Sequence, residues 1–243
     1  MRLVERDYTI LKEIYRWRVC LGRHIQELVG FTSRSACEQR LRKLIEMGYI
    51  KRQHVLYGVA AHYLLNHKGR VLINVSRKLV KIRPEQIFHD ITVLDAVLFF
   101  IRSKGLKPED FTSEKEMQSQ NGFGDRIRRP DFLIHDGDKT ICVEVELSPK
   151  SRTRTEKILT DNYLSYYRQL WIVPSMKHKV AVMLSKYLDR YPNMEIMELK
   201  EINSNILCEE ALNATDNFHS VNYISHISTL ESSAEIQPTE RCR

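Results

Sequence analysis

Apolar residues in the first third of the chain recur with the spacing of short amphipathic helices. They return every three or four positions, and Gly30 and Gly48 interrupt the pattern. Ser35 and Glu38 have the spacing of a capping box, which predicts that a third helix begins there. The pattern predicts three helices and then the first strand of a hairpin: Asp7–Trp17, Gly22–Val29, 35–47 and Tyr49–Gln53. Tyr57-Gly58 is expected near the tip of that hairpin.

The middle of the chain combines one long helical stripe with several short strand patterns. Apolar residues from Ile87 to Ile101 recur with a helical period, so Pro84 is expected to start a helix that runs to Lys104. The order after it is three strands, a helix, a strand, a helix and a strand: Phe111–Met117, 129–135, 139–147, Thr153–Tyr167, Leu170–Val173, His178–Tyr191 and Met194–Leu199. This order predicts an α/β fold of the α+β kind, in which helices flank a mixed sheet. The predicted organisation is two domains and a polar, partly disordered tail: 1–83, 84–200 and 201–243.

The positive charge of the chain lies in its first third. The 243 residues carry a net charge of +7, and residues 1–83 alone hold 18 Lys and Arg against 6 Asp and Glu. An excess this one-sided indicates a polyanionic partner for the first domain. No apolar run is long enough to span a membrane, so no membrane partner is expected. Five scattered cysteines without metal-type spacing are typical of reduced thiols, which predicts a cytoplasmic protein.

The third predicted helix offers a surface for a polyanion. Two helices, a turn, a basic helix and a β-hairpin form the order of a winged helix-turn-helix, whose third helix enters the major groove of double-stranded DNA. The predicted DNA contacts come from the outer face of that helix, from its flank at Arg40 and from the following strand: Arg34, Gln39, Arg40, Arg42, Lys43, Lys51 and Arg52. The alternative is a small helical bundle whose basic face is only solvated. Winged-helix proteins often dimerise, so the sequence does not decide between a monomer and a homodimer.

Three carboxylates of the second domain are predicted to meet across a hairpin. Asp131 lies on one predicted strand, and Asp136-Gly137 is a two-residue hairpin signal before the next. Glu144 and Glu146 share one face of the returning strand, because side chains alternate along a strand. Neighbouring carboxylates repel one another unless a cation lies between them, and Mg²⁺ is the usual hard divalent candidate. The alternative explanation of the Glu-Val-Glu pattern is an antiparallel strand with one solvent-exposed face.

These carboxylates and the order of elements resemble the PD-(D/E)XK nuclease superfamily. Its Pro-Asp pair matches Pro130-Asp131, and its acidic residue on the next strand matches Glu144. Its lysine position holds Glu146 in this chain, which is similar to some restriction endonucleases of the superfamily. The resemblance implies Mg²⁺ or Mn²⁺ bound by Asp131 and Glu144, with Glu146 as a further catalytic residue in phosphodiester cleavage.

The chain also resembles, over residues 5–200, the replication-relaxation family of plasmids and other mobile elements. Proteins of this family join an N-terminal winged helix to a PD-(D/E)XK-like domain. The matching stretches occur in one order along the chain: Leu41-Arg42-Lys43-Leu44, Gly48-Tyr49-Ile50, Tyr63–Gly69, His89, Pro130-Asp131, Glu144-Val145-Glu146, Lys157 and Tyr163. The resemblance implies a DNA-binding protein with a role in replication or DNA relaxation. One alternative is a Mg²⁺-dependent nicking endonuclease. The other is a non-catalytic initiator or transcriptional regulator that uses the nuclease-like domain as a scaffold. The sequence also leaves an RNA-binding role as a third alternative.

Further charged and aromatic residues of the second domain carry smaller expectations. Glu114 and Glu116 are expected on one strand face, as additional candidates for the site. Asp90 and Asp95 are expected to be solvated carboxylates of the long helix, and His89 a hydrogen-bonded packing residue rather than a ligand. The candidates for the positive charge missing at the lysine position are Lys150 and Lys157. Three tyrosines are expected to pack rather than to act as nucleophiles: Tyr163, Tyr166 and Tyr167.

Overall fold

Helices and a three-stranded antiparallel sheet form the first part of the protein. The computed structural model describes four ranges of the chain: 2–54, 60–75, 83–120 and 128–203. The elements of the first part are, in order, α1 (Glu5–Trp17), β1 (Cys20–Leu21), α2 (Gly22–Leu28), α3 (Arg34–Glu46), β2 (Ile50–Gln53), β3 (His62–Leu65) and α4 (His67–Leu72).

The sheet of the first part consists of a hairpin and one short added strand. β2 and β3 are antiparallel, with Ile50 opposite Leu65 and Gln53 opposite His62. β1 pairs with the other edge of β3, so the strand order is β1-β3-β2. The predicted pairing of two strands after the third helix is confirmed, and the predicted tip at Tyr57-Gly58 lies outside the described residues.

Helix α3 begins earlier than its sequence pattern predicts. Ser33 is the N-cap, because its hydroxyl accepts a hydrogen bond from the Ala36 N–H at 3.2 Å. Ser35 lies in the first turn and is exposed, so the predicted capping box is wrong. The helix ends as predicted, because Gly48 follows it with a φ of +75°, a left-handed conformation that glycine adopts without strain.

A five-stranded mixed sheet with helices around it forms the second part. Its elements are, in order, α5 (Pro84–Lys104), β4 (Phe111–Ser113), α6 (Glu114–Gln120), β5 (Phe132–Asp136), β6 (Lys139–Val145), α7 (Arg152–Ser165), β7 (Arg168–Val173), α8 (Lys179–Ser185) and β8 (Met194–Glu198). The strand order is β4-β5-β6-β7-β8; the pairs from β4 to β6 are antiparallel, and those from β6 to β8 are parallel. The predicted mixed α/β architecture is therefore confirmed.

The segment Phe111–Met117 is only in part the strand that its pattern predicts. β4 ends at Ser113, and α6 starts with the next residue. The Ser113 N–H donates to the Glu116 carboxylate at 2.8 Å, and the Glu116 N–H donates to the Ser113 hydroxyl at 3.3 Å. This reciprocal pair is a capping box, which turns the chain into a helix. The expected strand face with Glu114 and Glu116 is therefore wrong.

The hairpin between β5 and β6 fixes the register on which the candidate site depends. Asp136 pairs with Lys139, which leaves Gly137 and Asp138 as the two loop residues, one position beyond the Asp-Gly signal. Gly137 has a φ of +60°, as the first residue of a tight two-residue turn requires. A one-residue slip would reverse the faces of every side chain on β6, so this turn determines which carboxylates can meet.

One hydrophobic core joins the two parts. Ile10 and Leu41 of the first part belong to the same buried cluster as Leu94 and Phe132 of the second. Trp17 meets Phe132 edge to face, with 6.4 Å between the ring centroids. Helix α5 lies at the centre, and its 12 buried residues cover most of its circumference rather than a single stripe. The core therefore continues across the predicted domain boundary.

In the described ranges, no helix has both the length and the apolar character needed to cross a membrane. Nearly all of the predicted polar tail, from residue 204 onward, lies outside the described residues.

Candidate functional site

The outer face of α3 is basic and exposed. Cys37, Leu41 and Leu44 are buried on the inner face of the helix, as its periodicity predicts. The exposed residues of the opposite face include four predicted DNA contacts: Arg34, Gln39, Arg42 and Lys43. Arg34 pairs with Glu38 at 2.8 Å, but both side chains are exposed, so the pair is weak and leaves the guanidinium accessible.

Arg40 points into the fold, unlike its neighbours on α3. Its guanidinium pairs with both carboxylate oxygens of Asp7 on α1, and only 17% of its side chain is exposed. The Asp7 side chain is fully buried. The hydrogen bond to Asp7 raises the pKa of Arg40. The expected place of Arg40 among the DNA contacts is therefore corrected: it ties α1 to α3.

The strand after α3 adds one exposed cation. β2 packs against α3, and its side chains alternate between the two faces of the sheet. Arg52 is exposed, whereas Lys51 is half-buried. The name α3 surface is used below for five exposed residues: Arg34, Gln39, Arg42, Lys43 and Arg52.

The second sheet brings the predicted carboxylates together. Phe132 pairs with Val143, and the Asp131 N–H donates to the Val143 carbonyl at 3.1 Å. Asp131 and Glu144 are the next residues along the two strands, and their charges interact. Glu146 follows directly after β6 and is also buried. Asp131, Glu144 and Glu146 are called the carboxylate cluster below.

Asp131 is held by β6 and by α5. Its Oδ2 accepts the Val145 N–H at 2.7 Å and lies 3.4 Å from His89 Nε2. His89 Nδ1 lies 3.4 Å from Asp90 Oδ1. Burial lowers the pKa of His89, but the hydrogen bonds and charges of Asp131 and Asp90 outweigh burial and raise it to about 10. His89 therefore forms hydrogen bonds within the fold, as expected, and carries a positive charge beside Asp131.

Glu144 is paired with Arg128, which lies just before β5. Arg128 Nη1 donates to Glu144 Oε1 at 2.7 Å, and Nη2 donates to Oε2. Asn162 of α7 donates to Oε1 at 3.0 Å. Only 3% of the Glu144 side chain is exposed. Burial raises the pKa of Glu144, and Arg128 opposes that rise, so the guanidinium offsets part of the cost of burying this carboxylate.

Glu146 has a cation of its own. The Lys150 ammonium group contacts Glu146 Oε2. Of the two lysines considered for the missing positive charge, Lys150 therefore lies at the carboxylate cluster, and Lys157 is exposed on α7. Each of the three carboxylates thus has one cationic partner from the protein.

These pairs decide how well the carboxylate cluster suits Mg²⁺ or Mn²⁺. Within the described ranges, no group of three or more His, Cys, Asp and Glu side chains is arranged to hold a metal ion. A hard divalent ion needs several oxygen ligands with free lone pairs in a near-regular geometry. Both oxygens of Glu144 bind Arg128, and Glu146 Oε2 binds Lys150. In this arrangement the cluster does not fit a divalent ion, because protein side chains already supply the positive charge.

Ion pairs to buried aspartates also link the first part to α5. Arg18 lies 3.1 Å from Asp90 Oδ1 and 3.2 Å from Glu114 Oε2. Arg23 binds Asp95 at 2.7 and 2.9 Å. Asp90 and Asp95 are both buried, so the expectation that they are solvated is wrong. The physical reason is that the first part inserts cations against α5, which no periodicity within α5 reveals.

A pocket lies between these ion pairs and the carboxylate cluster. Arg18, Asp90, Glu114 and Asp131 are among its lining residues. Asp90 Oδ2 is buried and has no hydrogen-bond partner among the residues that the structure describes. The other oxygen of Asp90 accepts from Arg18 and Gln86, so this carboxylate is tied to the junction of the two parts.

The three tyrosines near the end of α7 are packing residues, as expected. The Tyr163 ring meets the Tyr191 ring edge to face at 5.5 Å. Tyr166 packs on a small apolar cluster beside β5 and β6. The Lys139 ammonium group lies over the Tyr167 ring at 4.7 Å.

Arg128 is the residue of the site that sequence reasoning missed. Its position just before Pro130-Asp131 was the available signal, but it reads as one more cation of a basic loop. Comparison of the sequence with protein-family models and with curated proteins finds no match.

Proposed function

We propose that the protein binds double-stranded DNA and that α3 enters the major groove. The proposal rests on the α3 surface, where exposed cations and an amide lie on a helix whose opposite face is buried. The order of helices and strands in the first part, with a three-stranded antiparallel sheet, supports a winged helix-turn-helix. A helix fits the major groove of B-DNA, where side chains can distinguish all four base pairs.

The proposed contacts divide into base readers and phosphate contacts. Gln39 and Arg42 lie in the middle of α3, and these residue types make two-bond contacts with adenine and guanine respectively. Arg34 at the helix start, Lys43 and Arg52 suit phosphates, which fix the register of a protein on the duplex without reading sequence.

The affinity for duplex DNA of matched alanine variants tests this proposal. Binding sites would be selected from a random-sequence duplex pool with the full chain. We expect Arg42→Ala to weaken binding to the selected site by about 1–3 kcal/mol. Lys12→Ala removes an exposed charge from α1 and should change affinity little. Equal losses in the two variants would contradict the assignment of α3, because position on the surface would then not matter.

The same assay separates DNA from RNA. Duplex RNA has a deep, narrow major groove that a helix cannot enter, so it should compete poorly with duplex DNA of the same sequence. Competition at equal concentration would favour the RNA-binding role instead.

We further propose that DNA binding serves replication or DNA relaxation of a plasmid or other mobile element, as the family resemblance implies. The favoured form is a non-catalytic initiator or transcriptional regulator in which the second sheet is a scaffold. The support for this form is the pairing of the carboxylate cluster with His89, Arg128 and Lys150. Carboxylates that protein side chains already neutralise need no metal ion to remain within the sheet.

The second candidate is metal-dependent nicking of DNA. The adjacent positions of Asp131 and Glu144 on paired strands favour it, although an ion would have to displace Arg128 from Glu144. The test incubates supercoiled plasmid carrying the selected site with Mg²⁺ or Mn²⁺ and compares the wild type with Asp131→Ala and Glu144→Ala. Nicking by the wild type alone would establish the enzyme, and equal products in all three would remove it.

A further inference from the structure

Arg128 contacts the carboxylate cluster through Glu144. Its guanidinium binds both oxygens of Glu144, in the two-bond geometry that makes arginine–carboxylate pairs strong. Arg128 lies three residues before Asp131, so the segment that carries one candidate metal ligand also carries the cation that neutralises another.

All three carboxylates act on this guanidinium. Burial lowers the pKa of Arg128, but the hydrogen bond to Glu144 and the charges of Glu144, Asp131 and Glu146 more than offset that effect. Arg128 therefore stays charged beside the three carboxylates, with 32% of its side chain exposed, and acts as a counter-ion of the cluster.

A guanidinium and a divalent ion exclude each other at this place. Both need the lone pairs of Glu144, and the two cations repel at the distance that sharing one carboxylate would impose. Asn162 donates to Glu144 Oε1 independently of Arg128, so the carboxylate remains oriented if the guanidinium is removed.

We propose that Arg128 is a built-in counter-ion that closes the carboxylate cluster to divalent cations, and that Asp131 and Glu144 bind Mn²⁺ or Mg²⁺ once its charge is removed. This inference goes beyond DNA binding by α3 and does not depend on it.

The experiment measures thermal unfolding of the full chain with and without millimolar MnCl₂, in chelator-treated buffer. The variants are Arg128→Gln, Glu144→Gln and the double variant. Arg129→Gln is the matched control, because it removes the positive charge of the next residue. The Arg129 side chain forms a hydrogen bond with Tyr166 rather than with the carboxylate cluster. Direct Mn²⁺ binding is followed by electron paramagnetic resonance of the free ion, which does not rely on stability.

The expected pattern differs for each protein. The wild type and Arg129→Gln should neither bind Mn²⁺ nor change their melting temperature with it. Arg128→Gln should melt lower than the wild type, because Glu144 is left buried without its cation. It should bind Mn²⁺ and recover by about 3 °C or more. Without metal, the double variant should have a higher melting temperature than Arg128→Gln. Mn²⁺ should not change the melting temperature of the double variant.

Three results would overturn the proposal. Mn²⁺ binding by the wild type that Glu144→Gln abolishes would mean that Arg128 does not close the cluster. No Mn²⁺ binding by folded Arg128→Gln would mean that no site opens. If Arg128→Gln fails to fold alone, MnCl₂ or the added Glu144→Gln change should restore folding, and failure of both would refute the inference. DNA binding measured on the same samples tests α3 separately, so the two proposals can fail independently.

Discussion

His24 lies buried between the backbone of β1 and the carboxylate of Asp95 on α5. The Leu21 N–H donates to His24 Nδ1 at 3.1 Å, and His24 Nε2 lies 2.8 Å from Asp95 Oδ1. With Nδ1 acting as an acceptor, the ring is neutral and donates its one proton to Asp95. Burial lowers the pKa of His24, although Asp95 opposes that effect. A single side chain at the junction of the two parts is thus sensitive to acid.

We expect acid to destabilise the fold through His24. Because the pKa of His24 is lower in the folded protein than in the unfolded chain, the unfolded chain takes up the proton first as the pH falls. This contribution is complete above the unfolded pKa of about 6.5 and declines below it by up to ~1.4 kcal/mol per pH unit. Urea unfolding of the wild type and His24→Asn checks this. The stability advantage of the wild type should shrink between about pH 7 and pH 5, and a constant difference would contradict it.

Residue identity along the chain predicts burial well for apolar side chains and poorly for charged ones. Ile10, Leu41 and Leu44 were expected inside from their spacing and are buried. Asp90 was expected in solvent, yet it is buried because Arg18 meets it from 72 residues away. Arg128 was missed for the same reason, since its partner Glu144 lies on β6, 16 residues further along the chain. Pairing across distant elements leaves no periodic trace in the sequence.

Among the elements, α3 shows two nearby arginines in different environments. Arg40 reaches Asp7 on α1, whereas Arg42 faces solvent on the α3 surface. The helix therefore uses one side to attach to the fold and another to face a partner. The same local competition explains α6: Ser113 and Glu116 form a capping box, and this signal prevails over the strand-like alternation around it. The capping spacing was present in the sequence and could have predicted the helix.

Substituting the two arginines of α3 should separate stability from binding. Arg40→Ala leaves Asp7 as a buried, unpaired charge, which should lower the free energy of unfolding by about 3–5 kcal/mol. Arg42→Ala should change that free energy by no more than about 0.5 kcal/mol and weaken DNA binding instead. Urea unfolding and duplex titration of both variants check this. Equal stabilities would argue against the inward position of Arg40.

The two described parts of the molecule are held together by α5, whose buried aspartates pair with cations of the first part and whose apolar residues pack against the second sheet. Because one core crosses the predicted domain boundary, neither part can unfold without exposing apolar side chains of the other part to water. The α3 surface should consequently keep a fixed position relative to the carboxylate cluster.

Cooperative unfolding tests this coupling directly. The chain has two tryptophans, Trp17 in the first part and Trp171 in the second. Trp17→Phe and Trp171→Phe each leave one fluorophore that reports on one part. We expect each variant to show one urea transition at which fluorescence and circular dichroism change together. A fluorescence midpoint that departs from the circular dichroism midpoint in either variant would indicate two independent units.

The salt dependence of duplex-DNA binding tests the central claim most directly, because it counts the phosphate contacts that each cation makes. The logarithm of the wild-type association constant should fall linearly with the logarithm of salt concentration. The slope should become shallower by about 2 in Lys43→Ala/Arg52→Ala, which removes two proposed phosphate contacts, and stay unchanged in Lys12→Ala. Parallel lines for all three proteins, or no duplex binding by the wild type at low salt, would contradict DNA recognition by α3.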